Sequence, residues 1–236
     1  MRFPTTAALC LGTVSVLVLT ACSNGSTRAT DPTSSASASA SVSGRQEDGN
    51  APAAGPLSSA ALTKRLLDEG DLGEGYARKA ELSGRHADVT VTGCPALGEL
   101  DGDAVAGGSL DFPRRAKVSF TYASGIGSEV SEELYSGTAA ELSSGVSRIF
   151  EAMTSCSSYR VFAGSTAVTV TAHEVPAPRL GDEQWGQLLT FTAGGRSQVV
   201  KQTAVRVGMV VAVVSGSPAL VDAHVAEAVA KARVTM

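Results

Sequence analysis

Three groupings in this 236-residue chain bring together residue types that catalysis and metal binding use. Ser217, Asp222 and His224 supply a hydroxyl, a carboxylate and a base on one short segment. Serine hydrolysis needs its serine exposed on a sharp turn with the base in reach. No G-x-S-x-G occurs, and Ser217, directly before Pro218, reads as the N-cap of a helix. Asp68, Glu69, Asp71 and Glu74 could gather around Ca²⁺, but they follow no ordered ligand spacing and read as solvated acids at a helix exit. Glu99, Asp101 and Asp103 begin a calcium-loop spacing, which then fails: Ala104 stands where the loop needs glycine and Leu110 where it needs glutamate. Glu129, Glu132 and Glu133 alternate along a strand and read as a solvated face, and His173-Glu174 reads as a surface pair. A carboxylate pair for glycoside chemistry would also need a groove for the sugar. Trp185 is the sole tryptophan; with Tyr76, Tyr122, Tyr135 and Tyr159 it could line a cleft. The expectation is no metal, no cofactor, no catalytic residue and a non-enzymatic chain. Any pocket is then the default binding site.

The cysteines carry a different chemistry. Residues 1–21 read as an export signal: Arg2 gives a positive start, and the apolar run from Ala7 to Leu19 has the length of a secretory core, short of a membrane span. Leu19-Thr20-Ala21-Cys22 resembles the bacterial lipoprotein box, which implies cleavage before Cys22 and acylation of its thiol with a palmitate-type lipid. Cys10 leaves with the signal. Cys94 and Cys156 remain in an oxidising compartment, where pairing them is the simplest assignment. Two buried free thiols are the alternative.

Residues 22–56 are rich in Ser, Ala, Thr, Pro and Gly and hold almost no large apolar side chain. Such a segment buries too little surface to offset chain entropy and reads as a disordered tether, about 30 Å in root-mean-square span. The net charge of −4 and the export layout argue against a nucleic-acid partner. Residues 57–236 have ample length for one core and one domain.

In that domain, Leu57–Glu69 reads as a helix with a stripe of Leu62, Leu66 and Leu67, and Asp101–Gly108 as a small-residue loop. Alternation predicts strands over 87–92, 115–123, 129–135, 167–174, 184–193 and 198–205. The GIG turn at 125–127 joins the second and third of these. Thr138 and Glu141 form a capping box for a helix over 139–155, whose stripe of Leu142, Val146, Ile149 and Met153 leads to Cys156. Gly194-Gly195 and Gly208 mark hairpins. Met209–Ser215 is a strand whose continuous apolar run suits burial on both faces. A last helix opens at Pro218. The fold class is therefore α+β: an antiparallel sheet with about three helices packed on it.

GDLGEGY at 70–76 after a short helix, Cys94 before a short turn, Cys156 at the end of an amphipathic helix and the VRVGMVVAVVSG hairpin together resemble the extracellular sensor domain of PknH-type actinobacterial serine/threonine kinases. That domain also occurs in free lipoproteins. The resemblance implies an antiparallel sheet with helices framing a cleft, and a ligand-sensing role. It also implies a second disulfide, for which this chain has no cysteines, and this sequence contains no kinase domain. The combined expectation is a lipid-anchored protein at the extracytoplasmic face of the cell membrane, held through Cys22, that binds an unknown small-molecule or protein ligand. The alternatives are a carrier of lipid or another apolar molecule, and an envelope-acting hydrolase.

Overall fold

The computed structural model describes residues 55–80, 89–100, 112–123, 128–163 and 166–233. The signal, Cys10, Cys22, the tether up to residue 54, Asp101, Asp103 and the loop around them, and the GIG turn lie outside the described residues. The described part belongs to one compact unit, Asn50–Met236.

Among the described residues, nine strands form one sheet: β1 (Tyr76–Arg78), β2 (Val89–Thr92), β3 (Arg115–Tyr122), β4 (Glu129–Ser136), β5 (Ser158–Ala163), β6 (Thr166–Glu174), β7 (Glu183–Ala193), β8 (Arg196–Val207) and β9 (Val210–Gly216). Their order is β1-β3-β4-β9-β8-β7-β6-β5-β2, and every neighbouring pair is antiparallel. The β7–β8 hairpin closes on Gly194 (φ 56°) and Gly195 (φ 75°). Two successive positive φ values match the twist of the flanking strands, and only glycine takes both without steric cost.

Five helices accompany the sheet among the described residues, where the sequence suggests about three. α4 (Ala139–Thr154) and α5 (Pro218–Ala232) are long; α1 (Ser59–Thr63), α2 (Glu69–Leu72) and α3 (Pro95–Gly98) are single turns. α4 begins at the expected capping box, with Thr138 Oγ1 accepting from Glu141 N–H and the Glu141 carboxylate accepting from Thr138 N–H.

The helices create two cores, one on each face of the sheet. On the first, Leu142, Val146, Phe150 and Met153 of α4 pack on Tyr135, Val211, Val213, Leu189 and Val170. On the second, Leu62, Leu66 and Leu67 join Val221, Val225 and Val229 of α5 over Phe120, Leu134, Ala212 and Val214. β9 therefore runs between two helix layers, which is why its apolar run is unbroken. Burying each Val or Leu side chain contributes about 1.5–3 kcal/mol.

The first predicted helix is corrected: it breaks after Thr63, and a second turn starts at Glu69. The break has a tertiary cause. Leu67 N–H donates 2.6 Å to the Glu132 carboxylate on β4 instead of continuing a helix. Asp68 then caps α2 by accepting from Gly70 and Asp71, while the Asp71 carboxylate accepts from Asp68 N–H. Asp68, Glu69 and Asp71 thus sit around a helix N-terminus, where the peptide dipole favours negative charge, and of the four acids Glu74 alone follows the helix's C-cap, Gly73.

Candidate functional site

The stretch VPAPRLGD, residues 175–182, crosses from β6 to β7 as an extended strap. Val175 N–H donates to the Gly186 carbonyl at 3.0 Å, and Asp182 N–H donates to the Arg206 carbonyl at 2.8 Å. The first crossing is close enough to require glycine: a Cβ on Gly186 would lie 2.6 Å from the Val175 carbonyl oxygen. Arg206 clamps the strap's far end, bonding Glu183 at 2.8 Å and Asp182 at 3.1 Å. Glu183 also accepts from Ser143 of α4 at 3.1 Å. The Arg206 hydrogen bond holds the Glu183 carboxyl below its ordinary range, and Glu183 in turn raises Arg206.

Between the strap, β7 and the C-terminal half of α4 lies a cleft of about 730 Å³. Phe150 and Trp185 form its aromatic wall, with ring centroids 6.5 Å apart. The indole is held in place by its Nε1–H, which donates 3.2 Å to Ser147 Oγ. Pro176 and Ala177 face it from the strap, and Glu151, Glu174 and Arg179 stand exposed at the rim. Among the described residues, none of those three charges is tied into an ion pair. The cleft thus offers an apolar platform, two acceptors and one planar donor.

The other residues singled out from the sequence fall elsewhere. Cys94 and Cys156 are joined in a disulfide, with Cα atoms 5.7 Å apart. Tyr135 and Tyr159 are buried in the first core, and burial pushes the Tyr159 hydroxyl up to about 12. Tyr76 and Tyr122 stack at the β1 edge, where Tyr76 Oη lies 2.6 Å from His224 Nε2. Burial raises the Tyr76 hydroxyl and lowers the His224 imidazole. Asp222 pairs with Lys201 at 2.5 Å, and Ser217 occupies the N-cap position of α5 without a side-chain cap bond. Ser217, Asp222 and His224 therefore do not form a triad. His173 is exposed, and Glu174 belongs to the cleft rim. Among the described residues, no three His, Cys, Asp or Glu side chains are grouped to hold a metal ion.

The solvated reading of the β4 glutamates is overturned for two of them. Glu132 is 1% exposed and Glu133 9%. Glu133 accepts from Lys117 at 2.5 Å and from the Tyr135 hydroxyl. Glu132, on the opposite face, has only the Leu67 amide among the described residues, and none of them partners its Oε1. Burial pushes its pKa up to about 8, partly offset by that amide and by Lys231.

No protein-family model matches the chain, and no curated protein matches it. Among solved structures, it is similar to the crystal structure of the extracellular domain of PknH from Mycobacterium tuberculosis. The TM-score is 0.56 at 12% identity, over 75% of this chain and 97% of that one. The likeness is one of fold: an α+β antiparallel sheet of the class seen in that extracellular domain.

Proposed function

We propose that the chain is a lipid-anchored, extracytoplasmic binding or sensing protein whose ligand enters the Trp185 cleft. One observation carries this reading. The cleft's volume of about 730 Å³ lies inside the range of small-molecule sites, roughly 300–1,000 Å³, and its lining brings the Phe150–Trp185 aromatic wall together with the exposed charges of Glu151, Glu174 and Arg179. The fold shared with the extracellular domain of PknH supports the sensing role and the extracytoplasmic location. The anchor is acylated Cys22, with the membrane as its partner. The reading is non-enzymatic, in keeping with Asp222 being paired with Lys201 and His224 with Tyr76 instead of with Ser217. The carrier alternative asks for a large cavity lined by the Val and Leu faces of the meander. Those faces are filled by α4 and α5: Val211 and Val214 are 0% exposed.

Native mass spectrometry of the full-length protein, released from membranes in detergent, is expected to show a mass excess that disappears on denaturation. Trp185→Ala should abolish it, because the substitution removes most of the aromatic wall. An excess that W185A retains would refute the cleft as the site. Cys22→Ala is expected to leave the protein unprocessed or released from the membrane fraction. A processed variant that still fractionates with membranes would refute the anchor.

A further inference from the structure

On the sheet face that carries α4, five polar residues on five successive strands stand directly opposite one another: Ser119, Ser131, Ser215, Gln202 and Gln187. The registers are Ser119 with Ser131, Ser131 with Ser215, Ser215 with Gln202 and Gln202 with Gln187. Residues opposed in this way point to the same face, so they form one row perpendicular to the strands. At a strand spacing of about 4.8 Å, the three steps from Ser119 to Gln202 make an open track of roughly 14 Å, and Gln187 lies buried behind its inner end. The flanking positions on this face are apolar where α4 covers them, as at Val211, Val213 and Leu189. Beyond the helix, the row forms the floor of a separate groove of about 290 Å³.

The inner end of this row is built into the protein. Gln187 is 0% exposed and donates through Nε2 to Gln202 Oε1 at 2.6 Å and to Met153 Sδ at 3.2 Å, while its Oε1 has no partner among the described residues. Gln202 is 9% exposed and lines the groove. Its Oε1 is occupied by Gln187, which leaves its amide N–H groups to donate into the groove. A buried amide with an unmet acceptor is costly, and a sheet face needing only a core would carry an aliphatic residue there.

We propose that this row is a second binding track, distinct from the Trp185 cleft, for a neutral saccharide chain. The charge balance points to neutrality. The ammonium of Lys117 is matched by Glu133 at 2.5 Å, and Glu129 by Lys79 at 2.8 Å. The charged residues that line the groove, Lys117 and Glu129, are one of each sign, so neither an anionic nor a cationic ligand is favoured there. Ser131 Oγ donates to the Ser215 carbonyl at 3.3 Å and keeps its lone pairs to accept, Gln202 keeps its amide N–H groups to donate, and the Ser119 and Ser215 hydroxyls can do both, which is what a row of sugar hydroxyls requires. Phe191 and Val200 at the groove's edge offer an apolar strip for the C–H face of a ring. An extended peptide is recognised mainly through main-chain bonds at a sheet edge. Along the row itself the backbone groups are already spent in the ladders on both sides, so there it is side chains that face the ligand.

The test is calorimetric titration of the full-length protein with maltotriose and with N,N′,N″-triacetylchitotriose. The variants are Ser131→Val with Ser215→Val, Ser131→Thr with Ser215→Thr, and Trp185→Ala. Valine and threonine are nearly equal in size and both suit strands, so the pair isolates the hydroxyls from folding effects. The expected result is binding of at least one trisaccharide, lowered at least tenfold by the valine pair and kept within about threefold by the threonine pair and by W185A. The track is refuted if neither trisaccharide binds, if the valine pair binds as the native protein does, or if W185A alone abolishes binding. The last outcome would move the saccharide to the Trp185 cleft and leave that site intact, so the two readings fail separately.

Discussion

Glu132→Gln is expected to stabilise the protein by about 3 kcal/mol at pH 7 and to flatten its stability against pH. Glu132 is 1% exposed, its Oε1 has no partner among the described residues, and its pKa is pushed from 4.5 to about 8 by burial. The carboxyl is therefore protonated in the folded protein at pH 7 but ionised in the unfolded chain. A group whose folded pKa is raised contributes stability that is fully present below pH 4.5. That contribution is lost progressively as the pH rises toward 8, because the folded state holds a proton the unfolded state has released. At about 1.4 kcal/mol per pH unit, the 2.5 units between 4.5 and 7 give the stated figure. Glutamine keeps a carbonyl oxygen for the Leu67 amide and does not ionise, so it removes the linkage without leaving a cavity. In thermal unfolding, the midpoint of E132Q should exceed that of the native protein by roughly 6–12 °C at pH 7 and converge with it near pH 4.5. Equal midpoints at pH 7, or a gap that widens toward acid, would show that Glu132 is ionised in the fold.

This residue also marks where the sequence stopped being informative. The alternation of β4 correctly divided the glutamates between faces, Glu129 and Glu133 on one and Glu132 on the other. It could not show that both faces of β4 are covered, because the covering groups, α5 on one side and Tyr135 with Lys117 on the other, come from register and packing. The same bond explains the misread first helix. The apolar spacing of Leu62, Leu66 and Leu67 suits a helix, and only the partner 65 residues away takes the Leu67 amide out of it. Long, strongly periodic elements were legible. α4 carries its own cap and stripe, and β7, β8 and β9 are bounded by glycines whose positive φ defines the turns. β5 was missed because SYRVFA has no turn signal separating it from Cys156, and β1 because three residues hold no period. Of the cleft, Trp185 was legible as a lone large aromatic. Glu151, Arg179 and Pro176 were not, since they meet only through the strap; its paired prolines were the one available signal. The polar row was also invisible, because its five members lie on five strands and become neighbours only through the registers.

Cys156→Ser is expected to cost about 4 kcal/mol, a large share of the 5–15 kcal/mol that holds a typical domain together. The bond joins residues 62 apart in sequence. In the loop-entropy account, closing a loop of this length removes about 4 kcal/mol of conformational freedom from the unfolded chain. Its place in the fold makes the loss uneven. Cys94 is 3% exposed and stands at the N-cap position of α3, beside the four-residue edge strand β2, which among the described residues pairs only with β5. Cys156 follows the C-terminus of α4, so the bond ties the sheet's far edge to the helix that covers it. Without it, that edge keeps its ladder to β5 and the packing of Leu97 and Val91, while β9 remains enclosed between α4 and α5. Hydrogen exchange in the serine variant should therefore rise most in β2 and β5 and least in β9, with a thermal midpoint lowered by roughly 8–16 °C. In the denatured native protein, thiol titration should find neither Cys94 nor Cys156 until a reductant is added. Two free thiols without reductant, or an unchanged midpoint in C156S, would remove the disulfide from the protein's stability.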